Sequence, residues 1–173
     1  MQRIDEGQPF AVIVDFAHTP NALTEAIGAA RKMTGGRVIT VFGSAGKRDV
    51  EKRSRMAQIS ATHADLTILT AEDPRTESLD AILQAMAAGS KNAGGVEGET
   101  YWRIRDRGRA IYFALSQAEA GDLVLICGKG HEQSLCFGTV EYPWDDRTAT
   151  RKALEALANG APMPDLGLPT YDA

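Results

Sequence analysis

Short apolar runs alternate with amphipathic segments along the whole chain. Runs rich in β-branched residues predict buried strands within residues 10–16, 35–43, 64–70, 100–105 and 123–127. Apolar positions spaced three and four apart predict helices within residues 18–33, 47–64, 78–89, 106–118 and 145–160. Strands that alternate with helices are typical of βαβ units. The pattern predicts an α/β, Rossmann-like three-layer domain with a mainly parallel sheet of about six strands flanked by helices.

The last part of the chain departs from this alternation. The stretch SLCFGTVEYPW, at residues 134–144, alternates around a central glycine and predicts a small C-terminal β-hairpin. Residues 159–173 contain three prolines and no periodic pattern, so we expect a loose tail there. The simplest partition is therefore one domain over residues 1–158, followed by that tail.

Composition narrows the class of partner. The 173 residues include 19 Lys and Arg and 23 Asp and Glu, a net charge of −4, which argues against nucleic acid as the main partner. No apolar run reaches 18 residues, so no membrane span is predicted. Cys127 and Cys136 lie nine positions apart, a spacing that fits neither a CxxC redox pair nor a metal site. We therefore expect a reduced, cytoplasmic protein without a metal site of its own.

Four of the predicted strands end in loops that carry charged, polar or glycine residues. The loops are DFAHTP at 15–20, GSAGKRD at 43–49, AEDPR at 71–75 and GKGHEQ at 128–133. In an open parallel sheet the carboxyl ends of the strands share one edge, and ligands bind in the crevice outside it. Both signs of charge are present, which favours a zwitterionic ligand over a purely anionic one.

The glycine-rich loop after the second strand does not match a nucleotide-binding phosphate loop. The pattern GxxxxGK[ST] requires glycine where Val41 stands and Ser or Thr where Arg48 stands. His18 and His131 have no partner at i+4, so a zinc site is not predicted either. Each loop alone could be a solvated turn. Four such loops in one chain favour a binding site.

The motifs DFAHTPNAL, VFGSAGKRDVEKR, AEDPRTE and GKGHEQ occur in this order. Together they resemble the C-terminal domain of the Mur ligases, most closely those of the UDP-N-acetylmuramoyl-tripeptide synthetase (MurE) type, over residues 1–158. The resemblance implies a cytoplasmic, ATP-dependent ligase that adds a diamino acid to UDP-N-acetylmuramoyl-L-alanyl-D-glutamate for peptidoglycan. It also implies that ATP and Mg²⁺ are held mainly by a central domain. We expect that domain and an N-terminal UDP-sugar domain to lie outside this chain, and this fragment alone to be inactive.

The resemblance also implies roles for individual residues. Asp15 and His18 fall in the nucleotide-facing motif, Asp15 at the position that contacts the ribose. The positions implied for the amino-acid substrate are Arg53, Asp73, Arg75, Gly128 and Glu132. Arg75 matches the arginine that grips the distal carboxylate of meso-diaminopimelate, while Gly128 and Glu132 match positions that hold its distal ammonium end. No residue is implied as the acceptor of the amine's proton.

One position departs from the diaminopimelate enzymes. Asp73 stands where those enzymes have asparagine before Pro-Arg. An acid beside Arg75 could neutralise the guanidinium or could itself bind an ammonium group, so both meso-diaminopimelate and L-lysine stay open as substrates. Two other functions also stay open: another Mur-type amide ligase, such as a cyanophycin or folylpolyglutamate synthetase, and a non-catalytic module that binds a small zwitterion or nucleotide.

Overall fold

Six strands form one central sheet in the computed structural model, which describes residues 1–172. They are β1 (Gln2–Arg3), β2 (Ala11–Asp15), β3 (Val38–Phe42), β4 (Leu66–Leu69), β5 (Tyr101–Arg103) and β6 (Leu123–Cys127). Their order across the sheet is β1-β2-β6-β3-β4-β5. Only β1 pairs antiparallel with its neighbour, and the other four pairings are parallel. The predicted mainly parallel sheet is confirmed, and β1 is a short edge strand that the apolar pattern did not reveal.

Five helices cover the two faces of the sheet. They are α1 (Pro20–Met33), α2 (Glu51–His63), α3 (Leu79–Asn92), α4 (Arg107–Gln117) and α5 (Asp146–Ala158). Side chains of Thr19, Ser78, Asp106 and Asp145 accept backbone N–H groups at the starts of α1, α3, α4 and α5. Such caps satisfy donors that have no partner inside the helix, which is why these helices begin where they do.

Alternate strand residues point to opposite sides of the sheet and build two cores. Ile13 and Leu125 lie in the core that contains α1, α2 and α3. Val12 and Val124 lie in the core that contains α4 and α5. Strands covered on both faces are apolar at successive positions, which explains the continuous apolar runs in the sequence. The predicted three-layer architecture is confirmed.

The strand order brings the loops of interest next to one another. The four strands β2, β6, β3 and β4 are consecutive in the sheet. They are the strands followed by the four loops that carry charged, polar or glycine residues. The chain moves outward from β3 to β5 and then returns through α4 to insert β6 between β2 and β3. A reversal of this kind opens a crevice at the carboxyl ends of parallel strands.

The predicted hairpin is present beside that edge. Strands β7 (Ser134–Phe137) and β8 (Val140–Pro143) form a separate antiparallel pair, and Gly138 has a φ of +63° in the turn between them. Arg75 forms an isolated parallel bridge with Phe137. The hairpin therefore attaches to the loop that follows β4.

The expectation of a loose tail over residues 159–173 is wrong for the described part, and Ala173 lies outside the described residues. Residues 159–172 contain no helix or strand, yet Met163 and Leu168 are buried in the same core as α4 and α5. Thr170 donates a hydrogen bond of 2.9 Å to the carboxylate that caps α4. The sequence argument failed because prolines exclude regular structure without preventing burial of the apolar side chains between them.

A fully buried ion pair links the sheet edge to α5. Both Arg107 and Asp146 have no exposed side-chain area, and the Asp146 oxygens accept from the arginine Nε and Nη2 atoms at 2.8 and 2.7 Å. The guanidinium also donates to the carbonyl oxygens of Ala71 and Cys127 at 3.0 and 2.9 Å. Trp144 donates its indole N–H to Asp146 at 2.7 Å. Burial alone would lower the pKa of Arg107, but Asp146 raises it above its usual value, so the guanidinium keeps its charge.

A second buried arginine fixes the loop after β4 to α2. Arg53 is 3% exposed and donates through Nη1 and Nη2 to the two carboxylate oxygens of Glu77. Its Nη2 also donates to the carbonyl oxygen of Ala45 at 3.3 Å. The hydrogen bonds from Arg53 lower the pKa of Glu77 from 4.5 to about 2. The pair therefore joins α2, the loop after β3 and the loop after β4.

Because the tail packs against the core, we expect alanine substitution of a buried tail methionine to lower stability much more than the same substitution of an exposed methionine elsewhere. Met163 is 4% exposed and Met33, at the end of α1, is 51% exposed. Met163→Ala should lower the free energy of unfolding by about 2–5 kcal/mol because it leaves a cavity, whereas Met33→Ala should cost less than about 1 kcal/mol. Urea unfolding of the two variants measures the difference. Equal losses would mean that the tail does not pack in solution.

The Arg53–Glu77 pair predicts that part of the protein's loss of stability at acid pH comes from protonation of Glu77. Because the pKa of Glu77 is lower in the folded state, its contribution to stability is complete above pH 4.5 and is lost as the pH falls towards about 2. Glu77→Gln removes this titration, so the variant should lose less unfolding free energy than wild type over that interval. Glu155→Gln, at an exposed position of α5, serves as the matched control and should follow wild type. Parallel pH profiles for all three proteins would contradict the prediction.

Candidate functional site

The loop after β4 holds two residues in the left-handed backbone region. Asp73 has a φ of 41° and Arg75 a φ of 55°. Aspartate tolerates this region better than most residues, whereas for arginine it is uncommon. Each such residue costs on the order of 1–3 kcal/mol and persists only where its surroundings impose it. The buried Pro74 separates them, so the loop turns sharply twice within three residues.

The glycines after β3 provide the space that this turn needs. A Cβ on Gly46 would lie 1.9 Å from the carbonyl oxygen of Pro74, and one on Gly43 would lie 2.3 Å from that of Thr70. The Gly46 N–H donates to the Asp73 carbonyl at 2.9 Å, and the Gly46 carbonyl accepts from the Arg75 guanidinium at 2.9 Å. The segment GSAG therefore packs against the neighbouring loop, in agreement with its failure to match a phosphate loop.

The hairpin holds Arg75 from the other side. The Arg75 N–H donates to the Cys136 carbonyl at 3.1 Å, and the Gly138 N–H donates to the Arg75 carbonyl at 2.8 Å. Only the guanidinium Nη1 makes a hydrogen bond to another described residue, and no carboxylate among residues 1–172 forms an ion pair with it. The guanidinium is fixed in place and keeps donors free for a ligand.

A chain of charges runs from Asp73 to the loop after β6. The Lys129 ammonium lies 3.0 Å from Asp73 Oδ2 and 3.0 Å from Glu132 Oε2. The lysine side chain is 1% exposed, while that of Glu132 is 42% exposed. The other Asp73 oxygen accepts the Cys136 N–H at 2.8 Å. Asp73 is therefore paired internally, whereas Glu132 presents part of its carboxylate to solvent.

A buried carboxylate lies under the same loop. Glu72 is 8% exposed, and a Cβ on Gly128 would lie 2.6 Å from its Oε2 atom. Burial raises the pKa of Glu72, although nearby positive groups, Arg107 first among them, oppose the rise. Gly128 has a φ of +112°. Glycine is required here both for the backbone conformation and for the space that Glu72 occupies.

The other end of the edge is aromatic and lies beside β2. The rings of Phe16 and His18 are 4.5 Å apart, and those of Phe16 and His131 are 5.6 Å apart. Phe16 is 40% exposed. Asp15 Oδ2 accepts the Ala17 N–H at 3.0 Å. A cavity of about 400 Å³ opens here, lined in part by Asp15, Phe16 and His18.

The structure brings together some of the candidate residues and separates others. Asp73, Arg75, Gly128 and Glu132 lie on adjoining loops at one edge, joined through Lys129. Asp15 and His18 lie further along the same edge, where the Gly128 N–H donates to the Asp15 carbonyl at 3.2 Å. Arg53 is adjacent, but its guanidinium is paired with Glu77 and Ala45, as described above. The charged loops after β4 and β6 and the loop after β2, which carries Asp15 and His18, form two regions of the edge that follow the strand order.

Sequence reasoning did not select four charged residues that shape this site. They are Glu72, Glu77, Arg107 and Lys129. A lysine or arginine is mostly exposed in proteins, and nothing local to GKGHEQ indicates that its lysine is buried. The available signal was indirect, namely the glycine on each side of Lys129, which allows a tight turn that directs the side chain inward.

The described residues contain neither a cluster placed for a metal ion nor an open phosphate loop. Residues 1–172 contain no group of three or more His, Cys, Asp or Glu placed to hold a metal ion. The Asp15 carboxylate accepts the Ala17 N–H and lies 3.1 Å from the N-terminal ammonium of Met1, while the glycine-rich loop packs against its neighbour. No helix in this part of the chain is both long and apolar enough to cross a membrane.

Curated proteins with sequences similar to this chain are peptidoglycan-precursor ligases by name. A UDP-N-acetylmuramyl-tripeptide synthetase of Roseiflexus sp. is 48% identical over 92% of this chain and 31% of its own length. A UDP-N-acetylmuramoyl-L-alanyl-D-glutamate–2,6-diaminopimelate ligase of Streptomyces coelicolor is 41% identical over 90% of this chain and 31% of its own length. The chain thus spans about a third of these relatives.

Solved structures are also similar to this chain. A structure of a UDP-N-acetylmuramoyl-L-alanyl-D-glutamate–2,6-diaminopimelate ligase superposes with a TM-score of 0.79 at 36% identity, over 91% of this chain and 31% of that one. Escherichia coli FolC in complex with ADP shares the fold, with a TM-score of 0.51 at 20% identity over 87% of this chain and 29% of that one. The sequence model of the family described as "Mur ligase, glutamate ligase domain" matches residues 1–130. The chain belongs to this Mur ligase domain family.

Proposed function

We propose that this chain is the amino-acid-binding domain of an ATP-dependent ligase that adds a diamino acid to UDP-N-acetylmuramoyl-L-alanyl-D-glutamate. The relatives named above carry this type of activity in their names. The observation that carries the proposal is that Arg75 and Glu132 lie on adjoining loops at one edge, each with part of its charged group free. Meso-diaminopimelate and L-lysine are the two candidate substrates.

The two free groups suit the two ends of a diamino acid. A guanidinium offers a fork of donors to a carboxylate, and a carboxylate accepts hydrogen bonds from an ammonium group. Arg75 would bind the distal carboxylate of diaminopimelate, and Glu132, with the Gly128 backbone, would bind its distal ammonium. L-lysine lacks that carboxylate and would leave the Arg75 charge without its ligand partner.

The contacts of Asp73 support a ligand carboxylate at Arg75. The sequence left open whether this acid neutralises its neighbouring arginine. In the structure both Asp73 oxygens have other partners, the Lys129 ammonium and the Cys136 N–H. The guanidinium therefore keeps its charge available, and the substitution of asparagine by Asp73 does not by itself exclude diaminopimelate.

The nucleotide would lie along the other part of the edge. When bound, ATP supplies the phosphoryl group that activates the substrate carboxyl for attack by an amine. Asp15 and His18 would contact the ribose side of the nucleotide, while a central domain outside this chain would hold the phosphates and Mg²⁺. This domain's contribution to catalysis is positioning, since it would hold the amine close to the activated carboxyl.

The rest of the protein is part of the proposal. The chain spans 31% of the length of the relatives named above. We expect an N-terminal UDP-sugar domain and a central ATPase domain in the full-length protein, which would act in the cytoplasm. We also expect the isolated domain, residues 1–158 with the packed tail, to have no ligase activity.

The activity is tested by phosphate release from ATP. The full-length protein is given the UDP-muramoyl-dipeptide and, in parallel, meso-diaminopimelate, L-lysine or L-glutamate. We expect one of the diamino acids to stimulate release and L-glutamate to have no effect. Stimulation by L-glutamate alone would favour a folylpolyglutamate synthetase-like enzyme. Tight ligand binding by the isolated domain, with no stimulated release from the full-length protein, would favour a binding module.

The role of Arg75 predicts a substrate-dependent defect. Arg75→Ala in the full-length enzyme should raise the KM for diaminopimelate about 10- to 100-fold, the effect of losing a charged hydrogen bond of about 1.5–3 kcal/mol. The KM for L-lysine should change little, because L-lysine has no distal carboxylate. Arg55→Ala, at an exposed position of α2, is the matched control. Unchanged kinetics with diaminopimelate would remove Arg75 from the pocket.

A further inference from the structure

The ammonium of Lys129 is buried at the centre of the candidate site. Its side chain is 1% exposed, and its two partners are Asp73 and Glu132, each at 3.0 Å. A buried charge is tolerated only where it is paired and hydrogen-bonded. The position of this lysine therefore depends on two carboxylates that belong to different loops of the sheet edge.

The local backbone directs Lys129 inward. Gly128 and Gly130, on either side of it, have φ values of +112° and +55°. A Cβ on Gly130 would lie 2.8 Å from the Cβ of Phe16, so the turn is packed tightly against β2. The Glu132 N–H donates to the Lys129 carbonyl at 2.9 Å, which closes the turn and brings the two side chains together. Lys129 is thus a built feature of the edge and not a flexible surface lysine.

The two carboxylates that Lys129 contacts differ in how much of each group is exposed and without a hydrogen-bond partner among the described residues. Asp73 has partners on both oxygens and is 15% exposed. Glu132 is 42% exposed, and Lys129 contacts only its Oε2 atom. One ammonium therefore compensates the charge of Asp73 and fixes the direction of Glu132 without covering it.

We propose that Lys129 is a positioning residue that sets the charge balance of the amino-acid site and, through it, the choice between diamino acids. The inference rests on the proposed function. With Lys129 in place, Asp73 does not compete for Arg75, and the site presents one positive and one partly free negative group. Without it, Asp73 as well as Glu132 has no cationic partner, and the site near Arg75 carries one more net negative charge. Such a site would repel a ligand carboxylate and favour a ligand with net positive charge.

The test is Lys129→Met in the full-length enzyme, with the specificity between two amino acids as the readout. The kcat/KM values for diaminopimelate and L-lysine are measured for wild type and variant. If wild type does not turn over one of them, that amino acid is measured as a competitive inhibitor. We expect the ratio of diaminopimelate to L-lysine to fall about tenfold or more, the effect expected when one partner of a close charge pair is lost. Lys91→Met, at an exposed position of α3, is the matched control and should leave the ratio unchanged.

A double variant separates charge balance from mere structural damage. In Asp73→Asn/Lys129→Met the asparagine carbonyl can still accept the Cys136 N–H, and the removed positive charge is matched by a removed negative one. We expect this variant to recover most of the wild-type ratio, and Lys129→Arg to keep it. Thermal unfolding of each variant shows whether it is folded. If Lys129→Met alone does not fold, recovery of both folding and ratio in the double variant carries the test.

The outcomes distinguish the inference from the function on which it rests. If the wild-type enzyme is active and Lys129→Met has the same ratio as wild type, the role of Lys129 is overturned and the proposed function is left intact. The same holds if the double variant keeps the altered ratio of Lys129→Met. A double variant that does not fold overturns the claim of charge compensation. A full-length protein that responds to neither diamino acid overturns both proposals.

Discussion

The buried guanidinium of Arg107 is the constraint on which the site depends. It donates to the carbonyl oxygens of Ala71, two residues after β4, and of Cys127, the last residue of β6, and to the carboxylate at the start of α5. A buried charge with fewer partners would be strongly destabilising, so the loop after β4, the end of β6 and the start of α5 are held at fixed positions relative to one another. Glu72 follows Ala71 directly, and Lys129 lies two residues after Cys127. The geometry of the candidate site therefore depends on an ion pair that is fully buried below the loops of the site.

The charges above this pair are arranged so that most of them compensate one another. Arg53 is paired with Glu77, and Asp73 with Lys129. Among these paired and neighbouring side chains of the described residues, the Arg75 guanidinium and part of the Glu132 carboxylate keep free hydrogen-bonding capacity. A site that offers both a free cation and a free anion differs from a general acidic or basic surface because it can discriminate between ligands by the position of their charges. This arrangement is the physical basis for proposing a zwitterionic diamino acid.

Backbone strain and close packing make the arrangement rigid. Asp73 and Arg75 adopt left-handed conformations, which the hairpin on one side and the glycine-rich loop on the other maintain. Gly43 and Gly46 have no room for a Cβ because the loop after β4 lies against them. The glycine-rich loop, whose sequence does not match a phosphate loop, therefore serves to bring two loops of the sheet edge into contact. Such preorganisation would favour binding of the proposed ligand, since rigid side chains lose less entropy on binding.

The sequence by itself determined the alternation of strands and helices, the hairpin, and the grouping of four charged or glycine-rich loops at one edge. These follow from local periodicity and from the rule that parallel strands share a carboxyl edge, neither of which needs atomic coordinates. Only the tertiary structure decided which charges are already compensated, because pairs such as Lys129–Asp73 and Arg107–Asp146 join residues 56 and 39 positions apart. It also decided that the tail packs, since apolar residues between prolines carry no periodic signal. Burial of a charged side chain depends on partners that local sequence does not specify, and for that reason the pairing of Arg53 with Glu77 was not foreseen from the sequence.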